Sequence, residues 1–268
     1  MYDLKPQVFS MKESLLRIRQ KFEDGEKFSF LRFEDVELRL MAGLPDKPVN
    51  HRGSPELRRD IKEAFQILDP NWCIATLGGL TREKDDTILE YADNPKKVTP
   101  IFGYSPAALK ENSRIICKYS TKMHYYNPPF LYYFAVYHPQ TLINFIDKYI
   151  KPLRVIYVGG AHLKTDLIMK TFNVKHFIEV PERDAYYSIH EFYPHLEKLL
   201  PEHDIVLVSM GNGKIGLQLK LWKEHRFPTF DIGSLAGAIN GDINRGWILG
   251  AQNNIQKLVQ LLKGTKND

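Results

Sequence analysis

Cysteine is almost missing from this chain. Cys73 and Cys117 are the only two in 268 residues. Neither lies in a CxxC, and two thiols cannot supply a zinc site of the usual spacing. Both read as buried thiols in a reducing compartment. Long apolar runs are missing too. None approaches the roughly 20 residues that span a bilayer. The opening stretch "MYDLKPQVFSMKESLL" has no apolar segment of the secretory kind. The expectation is a soluble, cytoplasmic protein without a membrane span.

Blocks of like charge are absent. Lys and Arg number 37 and Asp and Glu 32, a net charge of +5 spread along the chain. No nucleic-acid motif occurs, so nucleic acid is not an expected partner. A weak positive bias suits a smaller anionic ligand such as a nucleotide. There is no internal repeat and no low-complexity segment. The GxxxxGK[ST] spacing of a Walker A loop is absent, as is a full GxGxG.

What is present is the composition of a globular protein, 43% hydrophobic and 26% charged, rather than that of a disordered one. The length leaves room for a sizeable core. The periodicity predicts a helix over Gln7 to Phe22, with Val8, Met11, Leu15, Ile18 and Phe22 at helical spacing. Phe28 to Phe33 reads as a strand and Val36 to Met41 as a helix stopped by Gly43 and Pro45. "SPELRRDIKEAFQIL" reads as a helix with Ser54 as N-cap and Pro55 at its first position. "WCIATLGG" reads as a strand, and "TREKDDTILEYA" as a capped helix. The aromatic-rich middle, Val98 to Lys151, is broken by Pro128, Pro129 and Pro139. It predicts short helices and one longer helix over Gln140 to Tyr149.

The later part alternates regularly. "RVIYVGG", "KHFIEV", "DIVLVSMG" and "FPTFDIG" are short apolar runs. Between them lie helical stretches over His162 to Phe172, Asp184 to Leu200 and Lys214 to His225. This pattern indicates an α/β fold: a Rossmann-like, mostly parallel sheet with helices on both faces. The whole chain, 1–268, reads as one domain, with the helical middle, 98–151, inserted between the first strands and the last βαβ units. Ligands of such sheets sit outside the carboxyl ends of the strands.

Three places there carry candidate chemistry. "RFEDVE" puts Arg32, Asp35 and Glu37 at a strand end. Carboxylates at i and i+2 point the same way on an extended chain, whereas on a helix they lie about 200° apart. An extended Asp35–Glu37 pair would suit a hard divalent cation, Mn²⁺ or Mg²⁺, with Arg32 beside it for a phosphate or a carboxylate. The other reading makes Asp35 a helix cap and Glu37 a first-turn acid. In "SMGNGKIG", Gly211, Asn212, Gly213 and Lys214 form either a phosphate-holding turn at a helix N-terminus or a plain tight turn. In "TFDIG", Asp231 closes a strand, either facing a ligand hydroxyl or serving as a turn acid. The glycine pair of "VIYVGGAH" leaves a methyltransferase-like cofactor site as an alternative. Tyr125, Tyr126 and Trp72 are candidate platforms for a sugar ring, or core residues.

In succession these motifs resemble a bacterial glycosyltransferase family with the GT-D fold, once a domain of unknown function. Its first strand ends in a pattern like Arg-Phe-Gly-Asp-Gly-Glu, matched here by Arg32 to Glu37. "IEVPERDAYY", "LVSMGNGKIGLQL" and "FDIGSL" are similar to its later strand ends, and the order agrees from about Phe28 to Leu235. The resemblance implies transfer of a sugar from a nucleotide-diphosphate donor, a UDP-sugar, to a glycan or other hydroxyl acceptor. It implies Asp35 and Glu37 as metal ligands and catalytic residues. Arg32 and the Gly211 to Lys214 turn would bind the donor, and Asp231 would contact it or act as base. The family's two glycines are Glu34 and Val36 here. That departure bears on the turn geometry, the donor and activity, and it keeps a non-catalytic nucleotide-sugar-binding relative as a further alternative.

Overall fold

The computed structural model describes residues 6–44, 53–76, 106–242 and 246–264. In chain order its strands are β1 (Gln7–Val8), β2 (Ser29–Phe33), β3 (Trp72–Thr76), β4 (His124–Tyr125), β5 (Val155–Gly159), β6 (Val174–Glu179), β7 (Ile205–Ser209) and β8 (Thr229–Asp231). The α-helices are α1 (Met11–Glu23), α2 (Asp35–Met41), α3 (Pro55–Gln66), α4 (Pro106–Tyr119), α5 (Phe130–Tyr137), α6 (Pro139–Phe145), α7 (Asp166–Thr171), α8 (Ile189–Leu199), α9 (Gly213–His225), α10 (Leu235–Ile239), α11 (Gly246–Leu249) and α12 (Gln252–Lys263).

Six strands form one parallel sheet in the order β3-β2-β8-β7-β5-β6. β2, β3, β5 and most of β7 are buried along their whole length. This is why their sequences are continuous apolar runs rather than alternating ones. β6 lies at the edge and exposes Lys175 and His176, charged and polar residues of the kind that blunt an edge. β1 and β4 pair separately, and Ala75 bridges Tyr126 beside β3.

Alternation splits the sheet between two layers. Phe30, Tyr157, Leu207 and Phe230 point to the layer of α1, α5, α6, α10 and α12. Phe30 and Phe230 stack there with centroids 4.8 Å apart. Leu31, Phe33, Trp72 and Ile74 point to α2, α3, α4 and α9, and Ile156, Val158, Val206 and Val208 to α8 and α9. Helix α9 is buried nearly all round. Its Gln218 amide donates to the Phe30 carbonyl (2.9 Å) and to Thr229 Oγ1 (2.8 Å), which ties α9 to β2 and β8.

Several expectations change. Gln7 and Val8 are a short strand, and the helix starts at Met11 after Ser10, whose side chain caps Glu13. The helix expected over Gln140 to Tyr149 is present, as α6 continued by a π-turn over Ile146–Ile150, and among the described residues of the middle α4 is a further long helix. His162 to Phe172 divides into a 3₁₀ turn (Ala161–Leu163) and α7. The first five residues of Asp184 to Leu200 precede the helix, with α8 beginning at Ile189. The predicted helix "TREKDDTILEYA" lies outside the described residues. Cys73 is buried as expected, but Cys117 is exposed on α4. Among the described residues no helix is long and apolar enough to cross a membrane.

Candidate active site

The strand order reverses around β8, which enters between β2 and β7. A crevice opens outside the carboxyl ends at such a switch. Arg32 is contributed by β2 and Asp231 by β8, while Lys214 comes from the first turn of α9, just after β7. All three are nearly fully buried, with Asp231 at 0% exposure.

They form one ion network. Arg32 Nη2 donates to Asp231 Oδ1 at 3.0 Å, and Lys214 Nζ approaches Asp231 Oδ2 at 3.2 Å. Lys214 Nζ also meets Glu37 Oε1 at 3.0 Å. Glu37 Oε2 accepts from the Glu34 amide at 3.1 Å, half of a capping box at the start of α2. Arg32 Nη1 meets Glu34 Oε1 at 3.3 Å and contacts the Tyr132 hydroxyl. Buried charges persist only when paired in this way. Burial alone would raise the Asp231 pKa, but the neighbouring Arg32 and Lys214 outweigh it and hold the carboxyl below its usual range. Burial would lower the Lys214 pKa, and Asp231 and Glu37 together push it up instead.

Four of the sequence-derived residues are thus brought together: Arg32, Glu37, Lys214 and Asp231. Asp35 is not among them. It is the first residue of α2, and its Oδ1 accepts from Asn112 Nδ2 on α4. The helix has already begun at Asp35, so the i, i+2 carboxylates diverge around its axis as helical geometry requires. Both Glu37 oxygens are engaged, one by Lys214 and one by the Glu34 amide. This donor set does not fit a Mn²⁺ or Mg²⁺ ion shared by Asp35 and Glu37. Among the described residues, Glu197, Glu224 and His225 are the one group of three potential metal-ligating side chains, and all three are exposed.

Glu34 and Val36 are accommodated without strain. Glu34 is extended (φ −106°, ψ −165°) and Val36 lies within α2. Neither has a positive φ, so this turn does not need glycine. The glycines of the Gly211–Lys214 turn serve the protein itself. A Cβ on Gly213 would come within 2.7 Å of the Tyr186 amide nitrogen, and one on Gly216 within 2.5 Å of the Tyr186 ring. Gly211 has φ +57° and makes the turn. Asn212 is buried, and among the described residues its Nδ2 has no acceptor, nor does Arg32 Nε. The Gly159–Gly160 pair is similarly filled: a Cβ there would strike Tyr157 and His162 side chains.

Trp72 and Tyr125 are fully buried in the core, and Tyr126 packs on Phe9 and Phe30. The aromatic residue at the site is Tyr132 instead. Its ring stacks on Trp247 (4.5 Å) and its hydroxyl accepts from the Ser234 amide at 3.2 Å. Trp247 Nε1 donates to Ser234 Oγ at 2.9 Å. Tyr132 went unread because "FLYYFAVY" is apolar throughout and buried from Phe130 to Val136, which leaves no face to distinguish one ring. Tyr132→Phe is expected to cost about 1–3 kcal/mol, the penalty of leaving buried donors without an acceptor. Urea unfolding of the variant measures it. The Trp247 stacking survives the change.

No protein-family model matches the sequence, and no curated protein matches it. Solved structures match its fold. One is described as a new glycosyltransferase (DUF1792) from Streptococcus sanguinis. It is 16% identical over 86% of this chain and 82% of its own, with a TM-score of 0.62. A second is the domain of unknown function 1792, described as having a distinct glycosyltransferase fold. It is also 16% identical, over 87% of this chain and 79% of its own, with a TM-score of 0.59. The chain shares their fold.

Proposed function

We propose that the chain is a glycosyltransferase that moves a sugar from a nucleotide-diphosphate donor, a UDP-sugar, to a hydroxyl of a glycan or similar acceptor. One observation carries this reading. Two buried cations, Arg32 and Lys214, are gathered at the carboxyl end of the sheet, in a fold that known glycosyltransferases share. Fold alone does not assign function. The site adds a chemical reason.

In the transfer, the bond between the sugar C1 and the phosphate oxygen breaks, and a bond from C1 to the acceptor oxygen forms. The acceptor hydroxyl releases its proton to solvent, and the nucleoside diphosphate leaves with one more negative charge. Fixed positive groups aimed at that charge lower the barrier most. Arg32, Lys214 and the N-terminus of α9 supply such a field. Arg32 Nε and Asn212 Nδ2 are buried donors without acceptors among the described residues, and a phosphate is the kind of group that satisfies them. Asp231 acts through its neighbours. Held ionised between two cations, it is a poor base and a good anchor for Arg32 and Lys214. The divalent-cation role first assigned to Asp35 and Glu37 enters no step, because those carboxylates do not converge. No feature favours the methyltransferase alternative, since the glycine pair after β5 is filled by the protein's own side chains.

A thermal-shift panel of UDP, GDP, CMP and S-adenosylmethionine tests the donor class. A ligand at about 100 times its Kd adds roughly 2.7 kcal/mol, a rise of several degrees for a protein of this size. UDP is expected to give that rise. A response to S-adenosylmethionine alone, or to no nucleotide, contradicts the proposal.

A further inference from the structure

The ammonium group of Lys214 lies between carboxylates from two elements, 3.0 Å from Glu37 Oε1 on α2 and 3.2 Å from Asp231 Oδ2 on β8. A hard divalent ion held by acidic side chains would need that same place between oxygen ligands from different elements. The lysine side chain is 8% exposed. It stands in the first turn of α9, and Gln218 fixes that helix to β2 and β8. Its position therefore belongs to the packing of the fold and not to a loosely held surface chain.

The charges nearly balance. Arg32 and Lys214, two positive groups, face three carboxylates: Asp231, Glu37 and the partly exposed Glu34. A divalent ion added beside them would leave an excess of positive charge in a buried setting, and burying uncompensated charge is costly. The alternative of displacing Lys214 would strand its ammonium group without a partner.

From this geometry we infer that Lys214 is a resident cation that replaces a divalent metal in this site, with Glu37 and Asp231 as its ligands. The inference rests on the glycosyltransferase reading for its role in turnover: the leaving diphosphate is met by Lys214 and Arg32 without a metal. The placement of the cation is independent of that reading. Removing the lysine would uncover two carboxylates facing one position, and that position would then attract Mn²⁺.

The experiment uses the full chain and Mn²⁺ alone, without nucleotide, followed by the electron paramagnetic resonance signal of the free ion. The wild-type protein is expected to leave the Mn²⁺ signal unchanged. Lys214→Met is expected to take up Mn²⁺ at concentrations lower by about tenfold or more, as a stranded buried charge pair implies. Glu37→Gln in the Lys214→Met background is expected to abolish the uptake. Uptake by the wild type that Glu37→Gln removes would overturn the inference, as would a folded Lys214→Met protein that leaves the ion free. If Lys214→Met does not fold, the wild-type and Glu37→Gln titrations decide the matter without it. If no nucleotide shifts the melting temperature while Mn²⁺ behaves as expected, the donor reading fails and the resident cation stands.

Discussion

Asp231→Ala is expected to lower stability by about 3–5 kcal/mol, the cost of removing one partner from a buried charge network. Asp231 has no exposed surface and holds both Arg32 (3.0 Å) and Lys214 (3.2 Å). Without it, two buried cations share what remains: Glu37 for Lys214 and the partly exposed Glu34 for Arg32. At roughly 2–4 °C per kcal/mol for a chain of this size, the melting temperature falls by about 6–20 °C. Calorimetry and urea unfolding both read this. Asp231→Asn separates charge from hydrogen bonding. It retains an oxygen acceptor but loses the negative charge, and so it is expected to lie between wild type and alanine. A stability change below about 1 kcal/mol for alanine would mean that the network contributes only at the level of a surface pair.

Gly233→Ala is the second large effect, and it falls on the site more than on the fold. Gly233 follows β8 with φ +49°, a conformation that costs an L-residue about 1–2 kcal/mol. A Cβ built there overlaps Arg32 Nη2 and comes within 2.5 Å of the Tyr132 hydroxyl. Arg32 cannot simply swing aside, because Asp231, Glu34 and Tyr132 surround its guanidinium. The expected cost is about 2–4 kcal/mol from overpacking and backbone strain together. The expected loss of turnover is about 100-fold, since a displacement near 1 Å of a group that orients the reaction has that scale. Unfolding and activity should part company here. A variant that keeps most of its stability but little of its activity places Arg32 at the reacting groups. Unchanged activity in a folded Gly233→Ala protein would remove Arg32 from the proposed mechanism.

The sheet was legible because its strands are buried on both faces. β5, β7 and the strand before α2 are short apolar runs with clear stops, and buried parallel strands look like that for a physical reason. Arg32, Lys214 and Asp231 were legible as a group for the same reason: each stands at or just past a strand end. Their mutual contacts were not. Arg32 and Asp231 meet across 199 residues of chain, and only the strand order places β8 beside β2. The Asp35–Glu37 pairing failed at a finer level. It depended on where the strand stopped, and element boundaries are the least readable feature of a sequence. One residue of earlier helix turned Asp35 toward Asn112 and Glu37 toward Lys214. Gly233 stood in a motif that was read for its aspartate. The space it leaves for a distant arginine has no local signature.

The most direct test of the whole account is release of UDP from UDP-sugars, measured by chromatography for the wild type and for a folded Glu37→Gln variant, in the presence of candidate glycan acceptors. The wild type is expected to release UDP from at least one donor, and the variant, with Lys214 loosened from α2, to be strongly impaired. No release from any UDP-sugar by folded wild-type protein, or equal release by the variant, would contradict it.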